Sequence, residues 1–484
     1  MAIRRSTHPL LQLSASELAR LIRLQRCSSE QVVRAHIERA VEVNPRLNAL
    51  VCDRFGAALD EARQADDRIR AAPDTEHPPF LGVPCTIKEA FALTGMPNTS
   101  GLISRIGRTA TSDATAVARL RAAGAIPIGV TNVSELCMWM ESDNRVYGRT
   151  NNPYDAHRTV GGSSGGEGAM IGAGAVPFGL GSDVGGSIRM PAFFNGIFGH
   201  KPTGGLVPNT GQFPMAHGDA RRYLTTGPLC RRAVDLMPLL RILAGPDGVD
   251  EGCASLSLGN PDTVDLSRLS VLVVEGNGVI EVAPELLRAQ WLVARSLERR
   301  GARVRREQIK ALRRSFQIWS AMLAAAGGPS FASLMGDGHP VNPFVELARW
   351  TLGRSTHTFP AIGLAVLELL PQWLPSFADD YVRQGHLLRQ ELVDRIGPDG
   401  IMLFPSFPCV APRHRAPLFP PHQWVYTAIF NVMELPSTQV PLGLDRRGLP
   451  LGVQVVSVHG NDHVTIAVAQ HLERAFGGWV PPPI

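Results

Sequence analysis

The sequence predicts an α/β protein, and three observations predict it. Short apolar runs alternate with segments of helical periodicity along most of the chain, the pattern of a sheet covered by helices. Hydrophobic residues make up 44% of the 484 and charged residues 19%, which suits a large packed core and is too apolar for a disordered chain. From Gly161 to Gly205 glycine is unusually dense, so backbone geometry is under constraint there.

The elements follow in order. Ser14 with Glu17 has the pattern of a capping box ahead of Leu18, Leu21 and Ile22, and Ser28 with Gln31 repeats it ahead of Val32, Val33 and Ile37. A third helix over Ala57 to Ala71 ends at the break Pro73 to Pro79, and the apolar run Leu81 to Ile87 reads as a strand with Lys88 at its end. A helix near Ala114 to Ala123, a strand at Ile126 to Val130 and a long polar loop from Ser142 to Arg158 come next. The apolar stretch Val176 to Leu180 is a strand leading into the glycines. Beyond them the spacing predicts a helix near Arg232 to Leu243, a strand Leu269 to Glu275, a helix Pro284 to Arg300 and a strand Arg303 to Glu307. Residues about 311 to 398 read almost wholly helical, interrupted at Gly327 to Pro329, Pro343, Pro360, Pro371 and Pro375, as a helical cap or insertion would. Strands at Ile401 to Phe404, Thr438 to Leu442 and Leu451 to Val456 precede a closing helix, Asp462 to Phe476. The expectation is one domain over 1–484: a catalytic core over about 60–245, the cap over about 311–398, and C-terminal core strands and helix over about 399–480.

Composition also excludes. The net charge is +5, but no run of five or six basic residues occurs, which argues against a nucleic-acid partner. Seven cysteines with no CxxC pair argue against a disulfide framework and for a reducing cytoplasm. Glu17 and Arg20 interrupt the only N-terminal apolar segment, so no export signal is expected, and apolar runs such as Ala361 to Leu367 fall short of the ~20 residues that span a bilayer.

Chemistry concentrates in three places. The first is Gly181-Ser-Asp-Val-Gly-Gly-Ser187-Ile-Arg189. A strand running into this sequence brings the backbone N–H groups of Val184, Gly185, Gly186 and Ser187 around one point, where they can stabilise an oxyanion; the plain alternative is a tight turn with a solvated serine. The second is Gly161-Gly-Ser163-Ser-Gly-Gly-Glu167. It matches G-x-S-x-G, so a nucleophile elbow with Ser163 attacking is a rival, opposed by the loop chemistry of residues 151–157 where an elbow needs a strand. No Gly-Lys-Ser/Thr follows, so a phosphate-binding loop is set aside. The third is Lys88. Only Lys88, Lys201 and Lys310 are lysines among 48 basic residues, and a base that must shed its proton can be a desolvated lysine but not an arginine. An ion pair with Glu89 is the structural alternative for Lys88, and a structural role is the reading of Lys201.

Together these residues resemble the amidase signature family. Gly82-Val-Pro84 with Lys88, Gly-Gly-Ser163-Ser-Gly-Gly, Asp183-Val-Gly-Gly-Ser187-Ile-Arg189 with Pro191, and Gly199-His-Lys-Pro-Thr203 occur in family order and spacing. Within it the chain is most similar to the fatty-acid amide hydrolase 2 branch, through Lys88-Glu-Ala-Phe91, Gly95-Met-Pro-Asn-Thr-Ser-Gly101, Gly448-Leu-Pro-Leu-Gly-Val-Gln454 and Gly477-Gly-Trp479. The similarity is weakest over about 245–340.

The resemblance implies a twisted mixed sheet enclosed by helices and a Ser–cisSer–Lys triad that hydrolyses carboxylic amides through an acyl-enzyme, without metal or cofactor. Ser187 is the nucleophile, Ser163 the relay after a cis peptide bond, and neutral Lys88 the base. Ser164, Asp183 and Arg189 match positions that hold the loops, and Cys137 and Met138 match a stretch lining the substrate pocket. Small-molecule aryl or fatty-acyl amides are the implied substrates and a homodimer the implied assembly; a glutaminase subunit of a tRNA-dependent amidotransferase, with the same triad, is the alternative. The N-terminal membrane segment of animal relatives is not expected. Phe344 to Leu374, with Trp350, Phe359, Leu364, Leu367, Leu370 and Trp373, reads either as an apolar lid touching an acyl chain or a lipid surface, or as ordinary helix packing.

Overall fold

Both N-terminal capping boxes form: Ser14 and Glu17 open the helix Ala15–Arg23, and Ser28 and Gln31 open Ser29–Leu47. The computed structural model describes residues 8–369 and 375–484, with the backbone alone over 375–378. Pro371, Leu370 and Trp373 lie outside the described residues.

Thirteen strands are present among them: β1 Leu50–Asp53, β2 Pro84–Lys88, β3 Ile126–Thr131, β4 Asp143–Asn144, β5 Gly148–Arg149, β6 Phe178–Asp183, β7 Phe198–Lys201, β8 Thr225–Cys230, β9 Ser270–Val273, β10 Arg303–Arg306, β11 Gly400–Phe404, β12 Ser437–Leu444 and β13 Pro450–Val456. Eleven form one mixed sheet in the order β1-β3-β2-β6-β8-β7-β12-β13-β11-β9-β10. The strands around β2 run parallel to it, while β8, β7, β12 and β13 pair antiparallel. β4 and β5 make a separate hairpin inside what reads from sequence as a plain polar loop.

Side-chain alternation sorts the sheet into two faces. Cys85 and Ile87 of β2, Phe178 and Leu180 of β6, Val271 and Val273 of β9, and Ile401 and Leu403 of β11 share one core with the helices Ala15–Arg23, Thr115–Ala122 and Leu236–Leu243. Leu272, Met402 and Phe404 point the other way, into a core with Ile318, Leu388, Tyr426 and Phe430. Thr86 and Lys88 lie on that second side of β2.

Several elements were not legible. The strands β7 and β8 and the helices Gly165–Gly172, Arg189–Phe194 and Val425–Val432 escape the periodicity argument because nearly all their residues are buried, so neither period stands out, while β1 is only four residues long. In the helical segment, Pro343, Pro360 and Pro375 do not sit in gaps between helices. They open Pro343–Thr351, Phe359–Leu367 and Pro375–Ile396, where a missing N–H costs nothing.

Candidate active site

β2 delivers Lys88 with no exposed surface. Its Nζ donates to Ser163 Oγ at 2.7 Å and to Ser182 Oγ at 2.9 Å. Burial pushes the amine pKa below the ordinary lysine value, against the pull of the Cys137 thiol and the Asp183 and Glu167 carboxyls. Glu89 is not its partner. That carboxyl turns away to accept the N–H groups of Thr99 (2.6 Å) and Ser100 (2.7 Å) and the hydroxyls of Thr99 and Tyr147. Lys201, also buried, donates to Pro202 O at 2.7 Å, and its pKa is pushed down to about 7 by burial and the nearby Arg189 charge.

Ser163 lies at the entrance to the helix Gly165–Gly172, after a cis Gly162–Ser163 peptide bond and with no strand immediately before it. Glycine is required at 162: a Cβ there would meet the Trp139 carbonyl oxygen at 2.3 Å. Ser142 Oγ accepts the Gly165 N–H at 3.0 Å and lies 3.2 Å from the Gly161 and Ser163 carbonyls. Ser164 donates its N–H to the Ser187 carbonyl at 3.2 Å, which joins the two serine loops.

Ser187 sits in the strand–turn–helix context that Ser163 lacks, between β6 and Arg189–Phe194. The turn is shaped by Asp183, whose carboxylate accepts the N–H of Gly186 at 2.7 Å and of Ile188 at 3.1 Å, and two bonds from Arg189. Burial alone would raise the Asp183 pKa, but the Arg189 guanidinium and the N–H donors hold it well below the carboxylate range. One of the four expected oxyanion donors, Gly186, therefore spends its N–H on Asp183. Among the described residues no protein group takes the N–H of Val184, Gly185 or Ser187. Gly186 has φ +114°, and a Cβ there would sit 1.9 Å from Thr427 Oγ1.

The amidase family profile matches residues 31–466 of this chain. The chain belongs to the amidase signature family. It is 50% identical to fatty-acid amide hydrolase 2-A of Danio rerio, over 98% of this chain and 91% of that protein. It is 48% identical to fatty-acid amide hydrolase 2 of Homo sapiens over the same shares. A solved fatty acid amide hydrolase shares the fold, with a TM-score of 0.79 over 99% of this chain and 87% of that one at 20% identity. The protein is an amide-hydrolysing enzyme.

In this amidase Ser163, which accepts from Lys88, opens onto a cavity of about 630 Å³. Cys137 and Met138 line it, as do Ser163, Ser182, Val184 and Ser187. Burial raises the Cys137 thiol pKa, against the pull of the Lys88 amine. Leu334, Leu364 and Leu367 of the helical segment supply walls, so this segment is more than outer packing; Trp319 and Trp424, edge to face at 4.5 Å, supply another. Sequence reasoning missed Ser182, although it stands inside the quoted glycine motif, and missed Thr427 and Asn431, whose carbonyl and side chain hold Arg189 at 2.8 and 2.7 Å. Gln454, 3.1 Å from Arg189, was visible in the C-terminal motif without a role. Among the described residues no group of three or more His, Cys, Asp or Glu side chains could hold a metal, and no helix is long and apolar enough to cross a membrane.

Proposed function

We propose that this amidase hydrolyses fatty-acyl amides with Ser187 as nucleophile, Ser163 as relay and Lys88 as base. The observation that carries the reading is a buried lysine amine 2.7 Å from the hydroxyl of Ser163, which lines a large apolar cavity that Ser187 also lines. Ser187 Oγ bonds to the carbonyl carbon as its proton passes to Ser163 and the Ser163 proton passes to Lys88. The N–H groups of Val184, Gly185 and Ser187 receive the oxyanion. Return of the proton through Ser163 to the leaving nitrogen releases the amine or ammonia, and water hydrolyses the acyl-enzyme by the same route. Ser164, Asp183 and Arg189 hold the two loops in register, and residues 311–398 act as a cap on a single-domain enzyme.

The cavity is within the range of small-molecule sites and its walls are carbon-rich, which suits an acyl chain better than glutamine. The purified chain, with no partner added, is expected to turn over oleamide far faster than acetamide or benzamide. Inactivity on all three until a partner is supplied would restore the amidotransferase reading. A serine-directed probe is expected to label Ser187; label that survives Ser187→Ala and disappears with Ser163→Ala would make Ser163 the nucleophile.

A further inference from the structure

Two consecutive non-glycine residues, Leu136 (φ 54°) and Cys137 (φ 60°), hold left-handed backbone beside the site. Such conformations persist only where surroundings impose them. Leu136 sends its side chain into a small apolar cluster otherwise built mainly from the helical segment, with Phe331, Met335, Ala361, Ile362 and Ala365, while Cys137 lines the cavity together with Ser163 and Ser187. The preceding residue, Glu135, is 3% exposed. Its Oε1 accepts from His357 Nδ1 and its Oε2 from the Thr358 N–H, both at 2.7 Å. Thr358 is the N-cap of Phe359–Leu367, a helix with no acidic residue in its own first turn, so Glu135 is the anion at that helix N-terminus. His357 is steadied in turn: its N–H donates to Ser355 Oγ, which donates to the buried carboxylate of Glu346. The far end of the helix presents Leu364 and Leu367 to the cavity.

We propose that Glu135 and His357 are positioning residues that fix the Phe359–Leu367 helix to the loop bearing Cys137 and so set the enzyme's preference for long acyl chains. The carboxylate ties the helix that forms the acyl wall to the backbone just ahead of Cys137, so the wall is held at one distance from the reacting centre. Neither residue touches the reacting atoms. A short amide, which does not reach Leu364 or Leu367, is indifferent to the clasp; a long one depends on it. This rests on the reading of the cavity as an acyl site.

The test compares oleamide with acetamide for wild type, Glu135→Gln, His357→Ala and His357→Asn. Glu135→Gln and His357→Ala are expected to raise KM for oleamide roughly tenfold, the scale of losing a charge-assisted hydrogen bond, with kcat and all acetamide kinetics little changed. His357→Asn, whose amide N–H falls near the imidazole Nδ1, is expected to restore most of the oleamide affinity. Equal losses on both substrates, or no loss on either, would overturn the coupling, and so would His357→Asn behaving like His357→Ala. If a truncated variant does not fold, Glu135→Gln and His357→Asn decide alone: unchanged oleamide KM in Glu135→Gln rejects the proposal. A wild type with no preference for oleamide would instead sink the acyl-site reading, and this proposal with it.

Discussion

A lysine amine shut away from water must gain a counter-charge or give up its proton, and Lys88 has two hydroxyls rather than a carboxylate at its Nζ. Lys88→Ala is therefore expected to lower kcat/KM by about 10²- to 10⁴-fold, the usual worth of a positioned base. Lys88→Arg is expected to fall as far, because a guanidinium stays charged. With Lys88 as the proposed base, the free amine is the form that acts, so kcat/KM in wild type is expected to rise with pH through a Lys88 pKa that burial has moved below the ordinary lysine value. A profile flat from pH 6 to 10 would contradict that assignment. Gly186→Ala should disable the turn, since neither φ +114° nor the 1.9 Å approach of Thr427 Oγ1 admits a methyl group; measured activity near wild type would show that the turn is not as tight as described.

At the scale of elements, two buried carboxyls fasten the site to the sheet and titrate in opposite senses. Asp183 joins β6 to Arg189, and through Asn431 to Val425–Val432. Its folded pKa is depressed, so its stabilisation is present above the unfolded value of about 4 and fades as pH falls below it. Asp183→Asn should cost about 3–5 kcal/mol at pH 7, by leaving Arg189 buried without its anion, and the gap to wild type should narrow near pH 3. Urea unfolding at the two pH values measures it. Glu167 is the reverse case. It bonds Thr86 at 2.6 Å and Thr131 at 2.8 Å across β2 and β3, in a slot that only glycine at 179 leaves open. Burial pushes its pKa up to about 8, so its contribution is complete below about pH 4.5 and lost as pH rises toward 8. Glu167→Gln, which keeps shape but cannot ionise, should gain on wild type by a few kcal/mol between pH 5 and 8; a constant difference would show that Glu167 does not titrate in this window.

Across the whole molecule, the cavity is assembled from segments far apart in the chain: Cys137 and Met138, the Ser187 turn, Trp319, Leu364 and Trp424. An apolar volume of about 630 Å³ predicts a particular response to chain length. In a series of straight-chain amides, each added methylene should raise kcat/KM by about fourfold, from ~0.8 kcal/mol of burial, until the cavity is filled and the gain stops. A series without slope would mean that the apolar walls do not hold the substrate.

How much was legible follows from the range of each interaction. Lys88, Ser163 and Ser187 could be singled out by their neighbours in sequence: a strand ending in a lysine, and glycines where side chains cannot fit. The capping boxes and the closing helix Asp462–Phe476 were equally readable, being local hydrogen bonds and local periodicity. Ser182, Thr427, Asn431 and the Glu135–His357 clasp were not, because an ordinary serine, asparagine or glutamate acquires its role only when the fold brings a distant partner within 3 Å. The sequence by itself determined the α/β class and the family, and it singled out the side chains proposed to react. Only the tertiary structure decided which hydroxyls meet the lysine, which N–H groups stay unspent near Ser187, and which helix walls the cavity, since burial and pairing are properties of space rather than of order along the chain.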